Sequence, residues 1–284
     1  MNARSLAAWC IAFATLALAA CSTAEFAYRH AGLLYDNAAT WILWSVDDYL
    51  DLTAEQKAFA RQRLDRALEW HRRNVLPDYA AFLRDLERQV DAGLDAAAFR
   101  DDREKIRGFY RQVSEHLLPD AAELFALLDD AQVDDLARRL AKADGKMLEE
   151  ARTVREHGVR RTLDHLEAWT GPLTAAQRDL VKSRMRAFPD LTAMRVAEWR
   201  QRQARLVALM RERPPRDRMV AALHALLFDE DAWRDPEYAR ALAGRDDQAS
   251  AMLADLARTL SPEQVAHIRE RIRGLLADIA NATK

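Results

Sequence analysis

Residues 52–56 read Leu-Thr-Ala-Glu-Gln, and the pattern returns as Leu-Thr-Ala-Ala-Gln at 173–177 and Leu-Ser-Pro-Glu-Gln at 260–264. A degenerate copy, Leu-Asp-Asp-Ala-Gln, occupies residues 128–132. Each copy has the chemistry of a capping box, in which the Thr, Ser or Asp side chain accepts from the amide three residues on and the Gln side chain reaches back. The pattern therefore predicts four helix N-termini, with caps and glutamines at Thr53 and Gln56, Asp129 and Gln132, Thr174 and Gln177, and Ser261 and Gln264.

Outside these boxes the hydrophobic pattern is helical almost everywhere. Apolar residues recur mostly at spacings of three, four and seven over residues 53–90, 95–128, 129–169 and 174–210. No window alternates with a period of two for long enough to indicate a strand. The sequence predicts an all-α protein of long, kinked helices in antiparallel hairpins, with its clearest breaks at Gly93, Gly171 and Pro214-Pro215. Shorter helices are predicted at 216–228, 236–243, 246–258 and 261–281.

A second repeated motif places proline inside otherwise helical stretches, as Leu76-Pro77-Asp78, Leu118-Pro119-Asp120 and Phe188-Pro189-Asp190. Proline at such positions kinks a helix or starts a new one. Together with the capping boxes, these motifs suggest duplication of a kinked hairpin into a larger helical bundle. The irregular spacing of the boxes excludes a regular solenoid. The alternative is that an ordinary helical protein simply reuses capping boxes.

The composition of the 284 residues excludes several classes of protein. Only 8 Gly and 8 Pro are present, against about 20 and 14 at average usage for this length. This scarcity argues against a β-sandwich, a collagen or a loop-rich disulfide scaffold. The net charge of −2 provides no field that would attract nucleic acid, so we expect no nucleic-acid partner.

The first twenty residues are typical of a secretory signal: a short positive start is followed by an uncharged apolar run over residues 5–17. The run ends in Leu18-Ala19-Ala20-Cys21, which resembles the lipobox of bacterial lipoproteins. That resemblance implies cleavage after Ala20 and acylation of Cys21. The alternative is an ordinary signal peptide with an incidental cysteine.

The predicted anchor also bears on location and redox chemistry. Three acyl chains would give durable membrane binding, since one chain is marginal. Ser22 stands where an aspartate would resemble an inner-membrane retention signal, so we expect the periplasmic face of the outer membrane. Cys10 would leave with the signal, and the mature chain would have no thiol for a disulfide. Domain boundaries are predicted as a signal peptide (1–20), an anchored aromatic-rich segment (21–51) and two helical regions (52–170 and 171–284) that are able to pack as one domain.

A polar constellation near the N-terminus is the only candidate for chemistry. Acidic residues at 47, 48 and 51 follow an apolar helix, and we expect them to serve the helix starting at Thr53 or to pair with Arg72 and Arg73. The less favoured alternative is a functional acidic site with His71 as general base. This possible polar site comprises Asp47, Asp48, Trp70, His71 and Arg72. No metal-binding spacing, phosphate loop or nucleophile motif is present, so we expect no cofactor, no metal and no enzyme.

Aromatic residues cluster within 25 residues of Cys21, at Tyr28, Tyr35, Trp41 and Trp44. Such residues favour the headgroup level of a membrane. The favoured alternative is that Trp41, with Ile42, Val46 and Leu50, packs into the core. Core packing is likewise expected of Trp70, Trp169 and Trp199.

Two family resemblances follow from these motifs. The order of lipobox, Trp41-Ile42-Leu43-Trp44, residues 47–53 (DDYLDLT), residues 70–73 (WHRR) and residues 76–83 (LPDYAAFL) resembles the DUF6279 family of proteobacterial lipoproteins. That resemblance implies an envelope lipoprotein without supplying an activity. The four box motifs also resemble the Leu-Thr-x-x-Gln motifs of the Spy and CpxP group, helical periplasmic chaperones that bind proteins without a cofactor.

Two functions are therefore considered. The favoured hypothesis is an outer-membrane-anchored lipoprotein that acts as a cofactor-free binding, chaperone-like or scaffolding protein, with a protein or peptide partner. The alternative is an envelope hydrolase that uses the region of Asp48 and His71. A broad apolar concave surface would favour binding, whereas a small cleft joining Asp47 or Asp48 to His71 would favour catalysis.

The lipobox generates the first prediction. The Cys21→Ser variant is expected to lose acylation, because the hydroxyl cannot replace the thiol that receives the lipid. Metabolic labelling with palmitate, followed by fractionation of the envelope, measures this loss. Unchanged labelling of the variant, or a cytoplasmic location of the parent chain, contradicts the predicted anchor.

Overall fold

The computed structural model describes residues 37–283, apart from the side chains of residues 144–157 and 231. The predicted signal and Cys21 lie outside the described residues. Between residues 37 and 283 the chain forms ten α-helices and one 3-10 turn (Glu230–Ala232) and no strand, so the all-α prediction is confirmed. The helices are α1 (Ala38–Leu50), α2 (Ala54–Asn74), α3 (Leu76–Ala92), α4 (Ala96–Ala126), α5 (Asp130–Thr170), α6 (Ala175–Arg186), α7 (Thr192–Glu212), α8 (Arg216–Phe228), α9 (Pro236–Ala257) and α10 (Pro262–Ala282).

The three proline motifs have different structural effects. Pro77 lies in the first turn of α3, where a missing amide hydrogen costs nothing. Pro189 lies in the break between α6 and α7, and the Asp190 side chain accepts a hydrogen bond from the Thr192 amide at 3.0 Å. Only Pro119 lies inside a helix, α4. Of the two effects expected of these prolines, a kink or a new helix, the second is seen at Pro77, which begins α3, and at Pro189, which lies between two helices.

All four capping boxes form, and they meet in pairs. In the first pair, the Gln56 Nε2 donates to Gln132 Oε1 at 3.0 Å, and the Gln132 Nε2 donates to Gln56 Oε1 at 2.8 Å. Each glutamine also accepts from the amide of its own cap residue, Thr53 or Asp129. Gln56 further donates to the Leu127 carbonyl at 2.7 Å, and Gln132 donates to the carbonyls of residues 50 and 51. We call this buried arrangement the first glutamine clamp; it joins the N-termini of α2 and α5.

The second glutamine clamp repeats the pattern between α6 and α10. Gln177 and Gln264 exchange hydrogen bonds at 2.9 and 3.0 Å, and each accepts from the amide of its own cap, Thr174 or Ser261. The spare donor of Gln177 bonds the Thr259 carbonyl, and that of Gln264 bonds the carbonyl of residue 172, both at 2.9 Å. The two glutamines are 87 residues apart in sequence. The shared pattern fits the predicted duplication, which stays a prediction, as do the antiparallel hairpins.

The largest core cluster combines both predicted helical regions. It includes Leu118 and Leu136 from residues 52–170 together with Leu206 and Leu223 from residues 171–284. Helix α7 packs on α5, α8 packs on α4, and α10 packs on α3. Residues of both regions therefore share one core cluster. Gly171 stands at the break between the regions, and its φ of 73° is one that residues other than glycine rarely adopt.

The second clamp generates a stability prediction. Replacing Gln177 by Leu leaves the Thr259 carbonyl, the Thr174 amide and part of Gln264 buried without their partners. We expect a loss of about 1–3 kcal/mol in the free energy of unfolding, and a similar loss for Gln264→Leu. The double variant is expected to lose less than the sum, because the two side chains are partners. Urea denaturation measures all three, with exposed Gln201→Leu as control; additive losses, or losses no larger than the control's, contradict the clamp.

Candidate functional site

The acidic residues before Thr53 have structural partners. Asp47 accepts a hydrogen bond from the Leu52 amide at 2.9 Å and forms an ion pair with Lys57 at 2.8 Å. Asp48 is exposed, and its backbone carbonyl accepts from Arg139 at 2.7 Å. Asp51 ends α1 in the left-handed region, with φ of 46°. These contacts agree with the expectation that the acidic residues stabilise the start of α2, at its junction with α1.

The other members of the possible polar site have different surroundings. Trp70 stacks on His116 with ring centroids 3.6 Å apart. Arg72 pairs with Glu69 at 2.9 Å, and Arg73 pairs with the same carboxylate. His71 is buried and makes an edge contact with the Tyr79 ring at 5.6 Å. Burial lowers the pKa of His71 to about 4.

The structure does not bring these residues together into one site. Asp47 forms its ion pair with Lys57 of α2. Lys57 and His71 are fourteen residues apart on α2, which is about 21 Å along the helix axis. His71 lies instead among apolar side chains that include Ile42, Leu64 and Val113. The acidic site with His71 as base is therefore not assembled, because the rigid α2 separates its two ends.

The tryptophans on α1 correct a second expectation. Trp41 and Trp44 are 54% and 60% exposed, and their rings contact each other edge to face at a centroid distance of 5.2 Å. Val46 and Leu50 of the same helix are buried, as expected. Core packing of Trp41 is wrong, because the buried face of α1 already carries Val46, Leu50 and partly buried Ile42.

A cavity between five helices, here called the central cavity, is one concave feature of the described residues. It is lined by side chains from α1, α4, α5, α7 and α8, almost all of them apolar, and it is partly open to solvent. The cavity volume is about 60 Å³, several times what one water molecule needs. Trp199 of α7 forms part of its wall, rather than packing fully into the core.

Two polar side chains line this apolar cavity. Ser114 of α4 is 1% exposed and Gln203 of α7 is 6% exposed. The Ser114 Oγ and the Gln203 Nε2 have no hydrogen-bond partner among the described residues. A buried donor left unpaired costs about 1–3 kcal/mol, so these two atoms mark the cavity as a site with unused hydrogen-bonding capacity. Neither residue was predicted from the sequence. The available signal was a polar residue at a core-facing helical position, between Val113 and Leu117 and between Trp199 and Leu206.

A charged network on α7 was also missed. Glu198 accepts two hydrogen bonds from Arg234, at 2.7 and 3.0 Å, and Arg202 bonds Glu230 at 3.0 Å. The Arg202 guanidinium lies 5.1 Å from the ring centroid of Trp233. This network holds α7 to the segment between α8 and α9. Because its two arginines and two glutamates balance in charge, it offers no unpaired charge for a ligand.

No group of His, Cys, Asp or Glu that would hold a metal ion occurs among the described residues. None of the described helices is long and apolar enough to cross a membrane.

Comparison with known proteins gives one finding. The model of a family of unknown function, DUF6279, matches residues 48–240. The matched range contains the first glutamine clamp and every residue that lines the central cavity, whereas Ser261 and Gln264 of the second clamp lie beyond it. No curated protein and no solved structure matches the chain.

Burial of His71 generates a pH prediction. Its folded pKa of about 4 lies below its ordinary value of 6.5, so between these pH values the unfolded chain binds a proton that the folded chain does not. Stability is therefore expected to fall as the pH drops through this window, by up to about 1.4 kcal/mol per pH unit. Urea denaturation of His71→Leu from pH 7 to 4 should show a shallower fall, whereas exposed His267→Gln should follow the parent. Parallel curves for His71→Leu and the parent contradict the assignment.

Proposed function

The chain belongs to the DUF6279 family, whose function is unknown. From the lipobox-like sequence that ends at Cys21 and from the central cavity, we propose that it is an outer-membrane-anchored periplasmic lipoprotein that acts as a cofactor-free binding protein. Its binding site is the central cavity, and its ligand is a small apolar molecule. The observation that carries this proposal is an apolar cavity among five helices with two unpartnered polar atoms on its wall. Pockets of this character are the usual sites for small ligands.

The exposed surface favours a small ligand over an unfolded protein client. Large hydrophobic side chains exposed among the described residues are few: Trp41, Trp44, Ile106 and Leu127. The rings of Trp41 and Trp44 contact each other. A chaperone-like surface needs a broad apolar patch, and these four residues do not supply one. The apolar area available for binding lies instead inside the cavity.

The membrane part of the proposal rests on the sequence and on α1. Lipidation at Cys21 would place the anchor fewer than 25 residues before Trp41 and Trp44. An exposed tryptophan pair suits the headgroup region, where one edge of each ring contacts lipid and the indole nitrogen contacts water. We propose that this end of α1 faces the membrane, with the cavity-bearing body on the periplasmic side.

The hydrolase alternative has less support. Asp47 pairs with Lys57 and accepts a hydrogen bond from the Leu52 amide. His71 is buried in an apolar setting, about 21 Å from Lys57 along α2. A general base must lie within hydrogen-bond reach of the proton that it removes. We therefore favour binding, with no catalytic role for Asp48 or His71.

Filling the cavity tests the proposed function. Ala121 is a buried alanine on the cavity wall, and Ala121→Phe would place a ring in the empty space. The chain from Ser22 onward, which retains every described residue, is expected to bind the neutral fluorescent probe N-phenyl-1-naphthylamine saturably. The variant is expected to bind it at least about tenfold more weakly, as loss of the site costs 1.4 kcal/mol or more.

The matched control is Ala97→Phe, which adds the same ring at an exposed position of the same helix. Thermal unfolding confirms that each variant folds, and Ala121→Leu serves if the larger ring overpacks the core. Absence of saturable binding by the parent, or equal binding by folded Ala121→Phe, contradicts the cavity as the binding site.

A further inference from the structure

The hydrogen-bonding capacity of the cavity wall constrains the chemistry of its ligand. Gln203 Nε2 is a donor only, and the Ser114 hydroxyl is both a donor and an acceptor. Both atoms are buried and without a partner. A purely apolar ligand would leave both unpaired, whereas a ligand with an acceptor oxygen would satisfy at least the glutamine. The two polar atoms of the wall would therefore be satisfied by an oxygen atom on an otherwise apolar molecule.

The charge of that oxygen is also constrained. No charged side chain is among the described residues that line the cavity. A carboxylate or phosphate moved into such a site would lose its hydration without gaining a cation, which costs far more than a neutral hydrogen bond returns. The acceptor oxygen is thus uncharged, as in a ketone, an ester or an aldehyde.

We propose, on the basis of the binding function proposed above, that the cavity is a site for neutral carbonyl-bearing amphiphiles with a short alkyl chain. The alkyl chain lies against the leucines of α4, α5 and α8, such as Leu118, Leu136 and Leu223. The carbonyl oxygen accepts from Gln203 Nε2 or Ser114 Oγ. Fatty-acid anions are excluded by the absence of a cation on the wall.

The experiment compares three ligands of equal chain length: 2-heptanone, n-heptane and heptanoate. Each displaces N-phenyl-1-naphthylamine from the chain beginning at Ser22, at pH 7, in the parent and in Gln203→Leu and Ser114→Ala. Gln201→Leu is the matched control, since Gln201 lies on the same helix but is exposed. Denaturation of each variant without ligand is measured in parallel.

We expect Gln203→Leu to weaken binding of 2-heptanone about threefold to tenfold, the value of one neutral hydrogen bond, and to leave n-heptane binding unchanged or tighter. Ser114→Ala should act in the same direction and keeps the comparison available if Gln203→Leu does not fold. Without ligand, both variants should be at least as stable as the parent, because each removes an unpaired buried polar atom. Gln201→Leu should match the parent throughout.

Other results overturn the inference. Equal changes in the affinities for 2-heptanone and n-heptane in both variants would show that the polar atoms do not contact the ligand. That result is expected if the two atoms pair with water alone. Heptanoate binding as tightly as 2-heptanone would contradict the neutral headgroup. In either case saturable probe binding would leave the proposed binding function standing, whereas a parent that binds no probe overturns both.

Discussion

The reciprocal hydrogen bonds between paired glutamines are the interaction on which the fold depends. A helix N-terminus leaves four amide groups without intrahelical partners, and a capping box satisfies only some of them. Here each box also uses its glutamine Nε2 to bond a carbonyl of the segment that precedes the partner helix. Two helix starts 76 or 87 residues apart in sequence are thereby fixed to each other. All four glutamines are buried, and the hydrogen bonds that they exchange with each other are shielded from water.

Buried polar groups are paired at the clamps and unpaired at the cavity. At the clamps each glutamine side chain is paired at both its oxygen and its nitrogen. At the cavity Ser114 and Gln203 keep unpaired atoms within a wall of leucines. An unpaired buried donor destabilises the folded state. The chain therefore gains stability from its buried polar groups at the clamps and loses stability at the cavity, where a ligand could pair with them. This contrast is why we assign a structural role to the repeated motif and a binding role to the cavity.

Much of the fold was predictable from the sequence because its determinants are local. Capping chemistry places the starts of α2, α5, α6 and α10, and Gly93, Gly171 and Pro214-Pro215 end helices where expected. The Phe188-Pro189-Asp190 motif marks the break between α6 and α7, although the apolar spacing continues across it. One helix, α9, replaced the two predicted over 236–258, because no turn residue outweighs the packing of α9 on α4.

The candidate site was much less predictable, because it depends on contacts between distant segments. Nothing local indicates that Gln56 pairs with Gln132, or that Ser114 and Gln203 line the same cavity. A serine and a glutamine on helices are usually surface residues, so their burial appears only when five helices assemble. Proximity in sequence was equally misleading for Asp47 and His71, which a straight helix holds apart.

Hydrogen exchange at the helix starts tests the central claim most directly. If the clamp joins α2 to α5, Gln132→Leu will speed amide exchange at Gln56, 76 residues away, as well as at residues 129–133. The amides of Gln177 and Gln264 in the second clamp serve as an internal reference and should keep the exchange rates of the parent. Faster exchange confined to residues 129–133, or spread equally over both clamps, would contradict the account.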